Sequence, residues 1–179
     1  MYKRDRKEMD RKLSEKYRSK IREMFMGEDW DVFLTLNFRK YIPLDEGSKK
    51  VDMWDGLVSK RMVGRRYNLD KNFYRRMSFV GSGGYNGKNQ LHYHLLVKLP
   101  PSWKVESNVS EFRKLVEFYF PQVGGSRVDE EGFQTIGKTE EDRRKVVWYI
   151  TNPRNLPIND EGKLDTDVMI FSRNHGMKF

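Results

Sequence analysis

Cysteine is absent from the 179 residues of this chain. Without thiols, a disulfide framework, a thiolate zinc site and a cysteine nucleophile are excluded, so any bound metal must be held by nitrogen and oxygen ligands. Long apolar runs are absent as well, and the N-terminal sequence MYKRDRKEMDRK is charged where a secretory signal would be apolar. We therefore expect a soluble, cytoplasmic protein that has no membrane partner.

Acidic residues are the minority among the charged residues. The 35 lysines and arginines outnumber the 26 aspartates and glutamates, which gives a formal net charge of +9, and the chain also carries 9 tyrosines and 11 phenylalanines. Basic side chains bind phosphates through counterion release, and exposed aromatic rings stack on unpaired bases. This composition is compatible with a nucleic-acid partner and equally with a solvated, lysine-rich surface.

The spacing of the apolar residues predicts an α+β fold. We predict helices over residues 6–26, 51–66, 109–120 and 139–150, and strands over residues 31–38, 76–81, 91–99, 126–129, 132–136 and 167–172. Because several adjacent strands are joined by short turns, we expect helices packed on a central antiparallel sheet. The expected organisation is a basic amphipathic helix at residues 1–28 followed by one structural unit at residues 29–179.

The glycine-rich segment SGGYNGKNQ, residues 82–90, separates two of these strands. Glycine and asparagine adopt the positive φ angles of a hairpin loop, so we predict a β-hairpin here. The segment lacks the G-K-[ST] ending and the strand-to-helix context of a phosphate-binding P-loop, which excludes that interpretation.

The segment DVFLTLNF, residues 31–38, alternates between apolar and polar positions. In a strand, this alternation puts Phe33, Thr35 and Asn37 on one face. Thr35 and Asn37 are therefore candidates to contact DNA or to orient a metal shell, and ordinary polar strand residues are the competing interpretation.

Two of the three histidines occur as His92 and His94 in the strand LHYHLLVKL. Residues two apart on a strand point to the same side, so both imidazoles project from one face, whereas Tyr93 projects from the other. Such a pair can hold a divalent ion and leave coordination positions open for a phosphate oxygen. Two surface histidines without a metal remain the alternative.

Three segments, FLTLNF, LHYHLLV and VVWYITNPRN, follow one another in this order between roughly residues 33 and 155. Together they resemble the three motifs of rolling-circle replication initiators and related HUH endonucleases. The resemblance covers most of the chain, and three ordered motifs are much more specific than one. It implies an antiparallel sheet of the HUH type, with RRM-like, ferredoxin-type architecture.

The resemblance also assigns roles to individual residues. It implies that His92 and His94 are ligands of a divalent metal, Mg²⁺ or Mn²⁺, and that Tyr149 is the nucleophile. The tyrosine oxygen would attack phosphorus in single-stranded or hairpin DNA, forming a 5′-phosphotyrosyl bond and releasing a 3′-hydroxyl. Covalent capture would conserve the phosphoester for later rejoining.

Other tyrosines compete with Tyr149 for this role. Trp148 and Tyr149 are adjacent on a predicted helix and point to different sides, so we expect only one of them to be buried in the core. Tyr149 is free to face the site if the buried stripe consists of Val146, Val147 and Ile150. Tyr85 in the glycine-rich segment is another candidate, whereas Tyr93 points away from the histidines.

Two positions depart from the family pattern. The lysine that the family commonly has three residues after its tyrosine is Asn152 here. Lys145, one turn before Tyr149 on the predicted helix, could supply the missing positive charge to the DNA. The third metal ligand of the family is often acidic and lies on the strand paired with the histidine strand, but the corresponding segment SFVGSGG offers Ser82 and no acidic residue.

The leading hypothesis is a site-specific endonuclease and strand transferase that starts rolling-circle replication of a plasmid, phage or related element. Because no helicase segment is attached, we expect a separate helicase to unwind the DNA. An HUH transposase or relaxase would share this chemistry. A nucleic-acid-binding module that has lost catalysis and a metal-dependent hydrolase of small phosphoesters are alternatives of other classes.

Overall fold

The computed structural model describes residues 2–152, 154–155 and 168–172. Nine regular elements are assigned in these residues: helices α1 (Tyr2–Met26), α2 (Leu44–Val63), α3 (Glu106–Tyr119) and α4 (Glu140–Ile150), and strands β1 (Val32–Asn37), β2 (Ser78–Tyr85), β3 (Leu91–Lys98), β4 (Phe133–Thr135) and β5 (Met169–Phe171). Short 3₁₀ turns are interspersed among them.

The five strands form one sheet in the order β4-β1-β3-β2-β5, and every pairing is antiparallel. Strand β3 lies in the centre; it pairs with β2 along its whole length and with β1 over residues 92–97. The predicted α+β class with an antiparallel sheet is therefore confirmed.

Both faces of the sheet are covered by hydrophobic cores. Successive side chains of a strand point to opposite faces, so β1 and β3 contribute to both cores. One core joins the sheet to α2 and α3 through Val32, Leu34, Leu36, Tyr93, Leu95, Val97, Trp54, Val58, Phe112 and Val116. The other core joins it to α1 and α4 through Phe33, Val80, Leu96, Phe25, Val147 and Ile150.

Helix α2 was predicted over residues 51–66, but it runs over Leu44–Val63. Pro43 starts it, since the fixed φ of proline is tolerated next to a helix N-terminus, and Gly64 at a φ of 100° ends it. The first turns were missed because Gly47 lowers helix propensity. In the fold Gly47 is buried, and an added Cβ would collide with the side chains of β3 packed against it.

The predicted loop over residues 82–90 is wrong in its first half, because strand β2 continues to Tyr85. The glycines of this half serve close packing and not positive φ: a Cβ on Gly83 would lie 2.5 Å from the ring of Tyr93 on the neighbouring strand. The positive φ of the turn falls on Asn89, at 57°. The predicted hairpin itself is confirmed.

Other boundaries differ less. Helix α3 begins at Glu106 and ends at Tyr119, close to the predicted span, and α4 begins after its predicted N-cap, Thr139. No strand forms over residues 126–129, and the isolated bridge between Phe38 and Gly125 lies just before them. The last strand is confirmed as Met169–Phe171, whereas Pro153, predicted to end α4, lies outside the described residues.

Helix α1 is attached to the rest of the fold through its second half. Arg22 is buried, and its Nε donates to Oγ1 of Thr151 at 3.0 Å, directly after α4. Phe25 is buried in the same core as Val147 of α4. In the part of the chain that the structure describes, no helix is both long and apolar enough to cross a membrane.

The packing of Gly83 against Tyr93 gives a stability prediction. In Gly83→Ala, the new methyl group would overlap a ring that cannot move easily, because Tyr93 is buried and its hydroxyl donates to the carbonyl of Leu44 at 3.1 Å. We expect the free energy of unfolding to fall by about 1–3 kcal/mol, as measured by urea denaturation.

Gly87→Ala is the matched control. Gly87 lies in the same hairpin, its φ is not positive, and no heavy atom lies within 4 Å of an added Cβ. Its unfolding free energy should stay within about 0.5 kcal/mol of the wild type. Equal urea midpoints for the two variants would refute the packing role of Gly83.

Candidate active site

The register of the three central strands brings the motif residues together on one face of the sheet. His92 and His94 lie on β3, so each has one Cα partner on β1 and one on β2. These partners are Asn37 and Gly84 for His92, and Thr35 and Ser82 for His94. Residues from two of the three sequence motifs thus form two adjacent rows across the sheet.

The ring of His94 is held on two sides. Its Nδ1 lies 3.0 Å from Oγ1 of Thr35, and the ring of Phe33 stacks on it with centroids 5.7 Å apart and planes inclined by 15°. The side chain is 7% exposed. Because Nδ1 is engaged by the hydroxyl of Thr35, Nε2 is the nitrogen of His94 that remains available to a ligand.

His92 lies beside His94, with ring centroids 4.8 Å apart and planes inclined by 69°. Its Nδ1 is buried and has no hydrogen-bond partner among the described residues. Gly84 leaves room next to the ring, since a Cβ at that position would lie 3.8 Å from Cε1 of His92. An unsatisfied buried nitrogen of this kind is expected where a ligand or metal completes the site.

Both histidines are neutral at pH 7. Burial lowers the pKa of His94 to about 4, and the neighbouring His92 adds to this effect. Burial also lowers the pKa of His92. A neutral imidazole is the form that binds metal, so burial keeps both rings in a ligating state.

Tyr149 lies on α4, which crosses this face of the sheet. Its ring contacts His94 edge-on, with centroids 5.0 Å apart and planes inclined by 79°, and it also contacts Phe33 at 5.6 Å. The side chain is 49% exposed. Helix α4 holds it there because Val147 and Ile150 of the same helix are buried in the core.

The expectation that one of Trp148 and Tyr149 would be buried is wrong, since both are about half exposed. The ring of Trp148 lies against the guanidinium of Arg22, 3.8 Å from its centroid, at the junction of α1 and α4. A cation–π contact of this kind lets an aromatic residue remain at the surface while it still packs. The buried stripe of α4 consists of Val147 and Ile150, with Val146 half-buried.

Ser82 and Asn152 both make hydrogen bonds with the end of α4. The hydroxyl of Ser82 is buried and donates to the carbonyl of Ile150 at 3.1 Å. The side-chain nitrogen of Asn152 donates to the carbonyl of Tyr149 at 2.7 Å, and its oxygen accepts from the main-chain N–H of Arg154 at 2.8 Å. These contacts fasten and cap the helix that carries Tyr149.

A cleft of about 460 Å³ opens beside His94, and His92 does not line it. Thr35, Asn37, Lys145 and Tyr149 line it together with His94, so all of these predicted residues share one cavity. Lys145 is exposed and pairs with Glu141 at 3.0 Å, one turn before it on α4, which raises the pKa of the lysine.

Sequence reasoning missed three residues that shape this cleft. Phe33, which stacks on His94, carried a signal, since the alternation of its strand already put it on the same face as Thr35. Asp129 and Glu131 also line the cleft. No pattern in the sequence indicated them, because the strand predicted over residues 126–129 does not form. The carboxylate of Asp129 accepts from the main-chain N–H of Gly132 at 2.7 Å.

The competing tyrosines face other directions. Tyr93 is buried on the opposite side of the sheet, where burial raises its pKa, and its hydroxyl donates to the carbonyl of Leu44. The hydroxyl of Tyr85 donates to the carbonyl of Ile42 at 2.9 Å. Of the three candidates, Tyr149 is the one whose ring contacts a histidine of the pair.

No protein-family model, curated protein or solved structure matches this chain. The functional interpretation therefore depends on the geometry of the site and on the motif resemblance.

The low pKa of His94 predicts a pH dependence of stability. The unfolded chain binds a proton at this histidine below about pH 6.5, whereas the folded protein binds it only near pH 4, so stability falls as the pH drops between these values. In metal-free buffer, wild type should lose up to roughly 3 kcal/mol more of its unfolding free energy over this window than His94→Gln does.

NMR provides the independent measurement. The Cε1 proton resonance of His94 should titrate with a midpoint well below that of a free histidine. A midpoint near 6.5 for this resonance would contradict the burial that lowers its pKa.

Proposed function

We propose that this protein is a metal-dependent DNA endonuclease and strand transferase of the HUH type, which starts replication by nicking single-stranded DNA at an origin. In this proposal Tyr149 is the nucleophile, and the antiparallel sheet belongs to the RRM-like architecture of that family. Hairpin DNA is the expected substrate, with a separate helicase as partner. The proposal combines the three-motif resemblance with the geometry of the site.

One observation carries the proposal. Tyr149 comes from a helix and His94 from the central strand, far apart in sequence, yet their rings are in contact at 5.0 Å between centroids. The tyrosine is half exposed at a cleft, where a phosphate can approach. A nucleophile next to a pair of neutral imidazoles is the arrangement that metal-assisted phosphoryl transfer needs.

The residues on this face fit a divalent ion. His92 and His94 would hold it through ring nitrogens, and the exposed side chain of Asn37, on the strand next to His92, offers an amide oxygen. Among the described residues, no group of three or more histidines and acids lies together, so neutral oxygens, water or DNA would complete the shell. When bound, Mg²⁺ or Mn²⁺ would polarise the scissile phosphate as a Lewis acid.

The chain's own residues would perform the transfer. A bond forms between the hydroxyl oxygen of Tyr149 and phosphorus while the bond from phosphorus to the 3′ oxygen breaks. The tyrosine proton passes to solvent, and the departing 3′ oxygen takes up a proton to become a hydroxyl. Lys145, one turn away on the same cleft, would attract the phosphate once the DNA displaces its pairing with Glu141. Attack by a 3′-hydroxyl on the phosphotyrosine reverses these steps and rejoins the strand.

A nucleic-acid-binding module without catalysis is the second candidate. It is favoured by Asn152, which caps α4 where the family has a lysine. Such a module would bind DNA equally well with and without a divalent metal. An HUH transposase or relaxase would share the proposed chemistry and differ in the DNA that it cuts.

The nucleophile is tested by trapping the covalent intermediate. The protein is incubated with Mn²⁺ and a pool of hairpin oligonucleotides that have randomised loops and a fluorescent label at the 3′ end, because the 5′-phosphotyrosyl product keeps that end. We expect a labelled protein band on a denaturing gel with wild type, and at least a 100-fold weaker band with Tyr149→Phe, which lacks the attacking oxygen.

Tyr74→Phe is the control, because Tyr74 is a tyrosine that is 74% exposed and lies outside the cleft. It should form the adduct like the wild type. If Tyr149→Phe still forms the adduct, another residue is the nucleophile. DNA binding that does not depend on metal, without any adduct, would favour the binding module.

The contact between Thr35 and His94 predicts an effect on metal affinity. Thr35→Val removes the oxygen that orients the imidazole through Nδ1, so Mn²⁺ should bind about 10- to 100-fold more weakly in an EPR titration. Thr35→Ser keeps the hydroxyl and should restore most of the affinity. If Thr35→Val binds Mn²⁺ as tightly as the wild type does, Thr35 does not position His94 as a metal ligand.

A further inference from the structure

Two exposed tyrosines stack on each other at the end of the sheet. Tyr41 and Tyr85 have ring centroids 5.6 Å apart and planes inclined by 21°, and they are 59% and 38% exposed. The hydroxyl of Tyr85 donates to the carbonyl of Ile42, which fixes its ring against the chain that carries Tyr41. The pair therefore presents a preformed aromatic surface to solvent.

Cationic side chains surround this pair in the sequence. Arg39 and Lys40 precede Tyr41, Lys88 follows Tyr85, and all three are exposed. None of the three pairs with a carboxylate among the described residues. The nearby Asp45, which helps to raise the pKa of Tyr85, is itself paired with Lys49 at 3.5 Å.

The two segments that carry these residues are joined next to the histidines. The side chain of Gln90 donates to the carbonyl of Arg39 at 3.0 Å, and it directly precedes β3. Tyr85 follows Gly84, whose Cα pairs with that of His92. Because successive side chains of a strand alternate, the ring of Tyr85 projects to the face opposite His92, at the same end of the sheet.

We propose that Tyr41, Tyr85, Arg39, Lys40 and Lys88, which we call the tyrosine platform, bind an unpaired base and the adjoining phosphates of single-stranded DNA. That the strand is DNA rests on the proposed function. Base stacking on an aromatic ring requires an unpaired base, so the platform selects single strands, and the cations attract the backbone on either side.

The test measures binding separately from cleavage. A fluorescein-labelled oligo-dT of 15 nucleotides is titrated with protein carrying Tyr149→Phe, without metal, and followed by anisotropy. Adding Tyr41→Ala should raise the Kd about 5- to 100-fold, whereas Tyr41→Trp, which keeps a stacking surface, should stay near the parent. Tyr74→Ala, which removes an equally exposed tyrosine elsewhere, should have no effect.

Salt dependence tests the cations. Lys88→Ala should lower the slope of log Kd against log salt by somewhat less than one, because one phosphate contact is lost. Lys114→Ala on α3, a lysine outside the platform that pairs with Glu111, should leave the slope unchanged. An unchanged slope in Lys88→Ala would overturn the role of that lysine.

The outcomes separate the platform from the proposed function. If Tyr41→Ala binds oligo-dT like its parent, the platform proposal is wrong even where wild type forms the covalent adduct. It is also wrong if Tyr41→Ala weakens the binding of duplex DNA and of an abasic strand by the same factor as the binding of oligo-dT. If Tyr41→Ala changes the sedimentation coefficient and leaves the DNA affinity unchanged, the tyrosine pair is a contact between copies of the chain, and the proposal is overturned. If the affinity for oligo-dT depends on Tyr41 but wild type forms no covalent adduct, the platform is supported and the proposed nicking function is refuted.

Discussion

The pairing of β3 with both of its neighbours is the constraint on which the site depends. Because side chains alternate along a strand, one register decides at once which residues of β3 enter the core and which face the cleft. Tyr93 and Leu95 fill the core beneath α2 and α3, and His92 and His94 are consequently turned to the other side. A slip of one residue would turn both histidines toward α2 and α3, away from Tyr149, and would turn Tyr93 toward α1 and α4.

The position of Tyr149 depends on how α4 is fastened above this face. Val147 and Ile150 anchor the helix by burial, Ser82 bonds its last carbonyl, and Arg22 of α1 bonds Thr151 just beyond it. These contacts come from three distant parts of the chain. The helix is thus held at its C-terminal end, next to the tyrosine, where small shifts would have the largest effect on the distance to His94.

Much of the fold follows from local patterns. The alternation in the DVFLTLNF segment, the apolar run around His92 and the Thr139 cap with its acidic first turn each indicate the element that forms. The patterns failed where tertiary packing reverses a local preference. Gly47 lies inside a helix and Gly83 inside a strand because side chains of β3 (Leu91 for Gly47, Tyr93 for Gly83) occupy the space of a Cβ, and no local rule anticipates this.

For the candidate site, the sequence by itself determined that the two histidines share a face and that Thr35 shares a face with Asn37, since the alternation of a strand is a local property. It did not determine which strands are neighbours, and therefore could not give the bond between Thr35 and His94. The contact between Tyr149 and His94, and the stacking of Tyr41 on Tyr85, were likewise decided by tertiary structure alone. The physical reason is that these contacts join segments far apart in the sequence, whose relative positions are set by the packing of both cores.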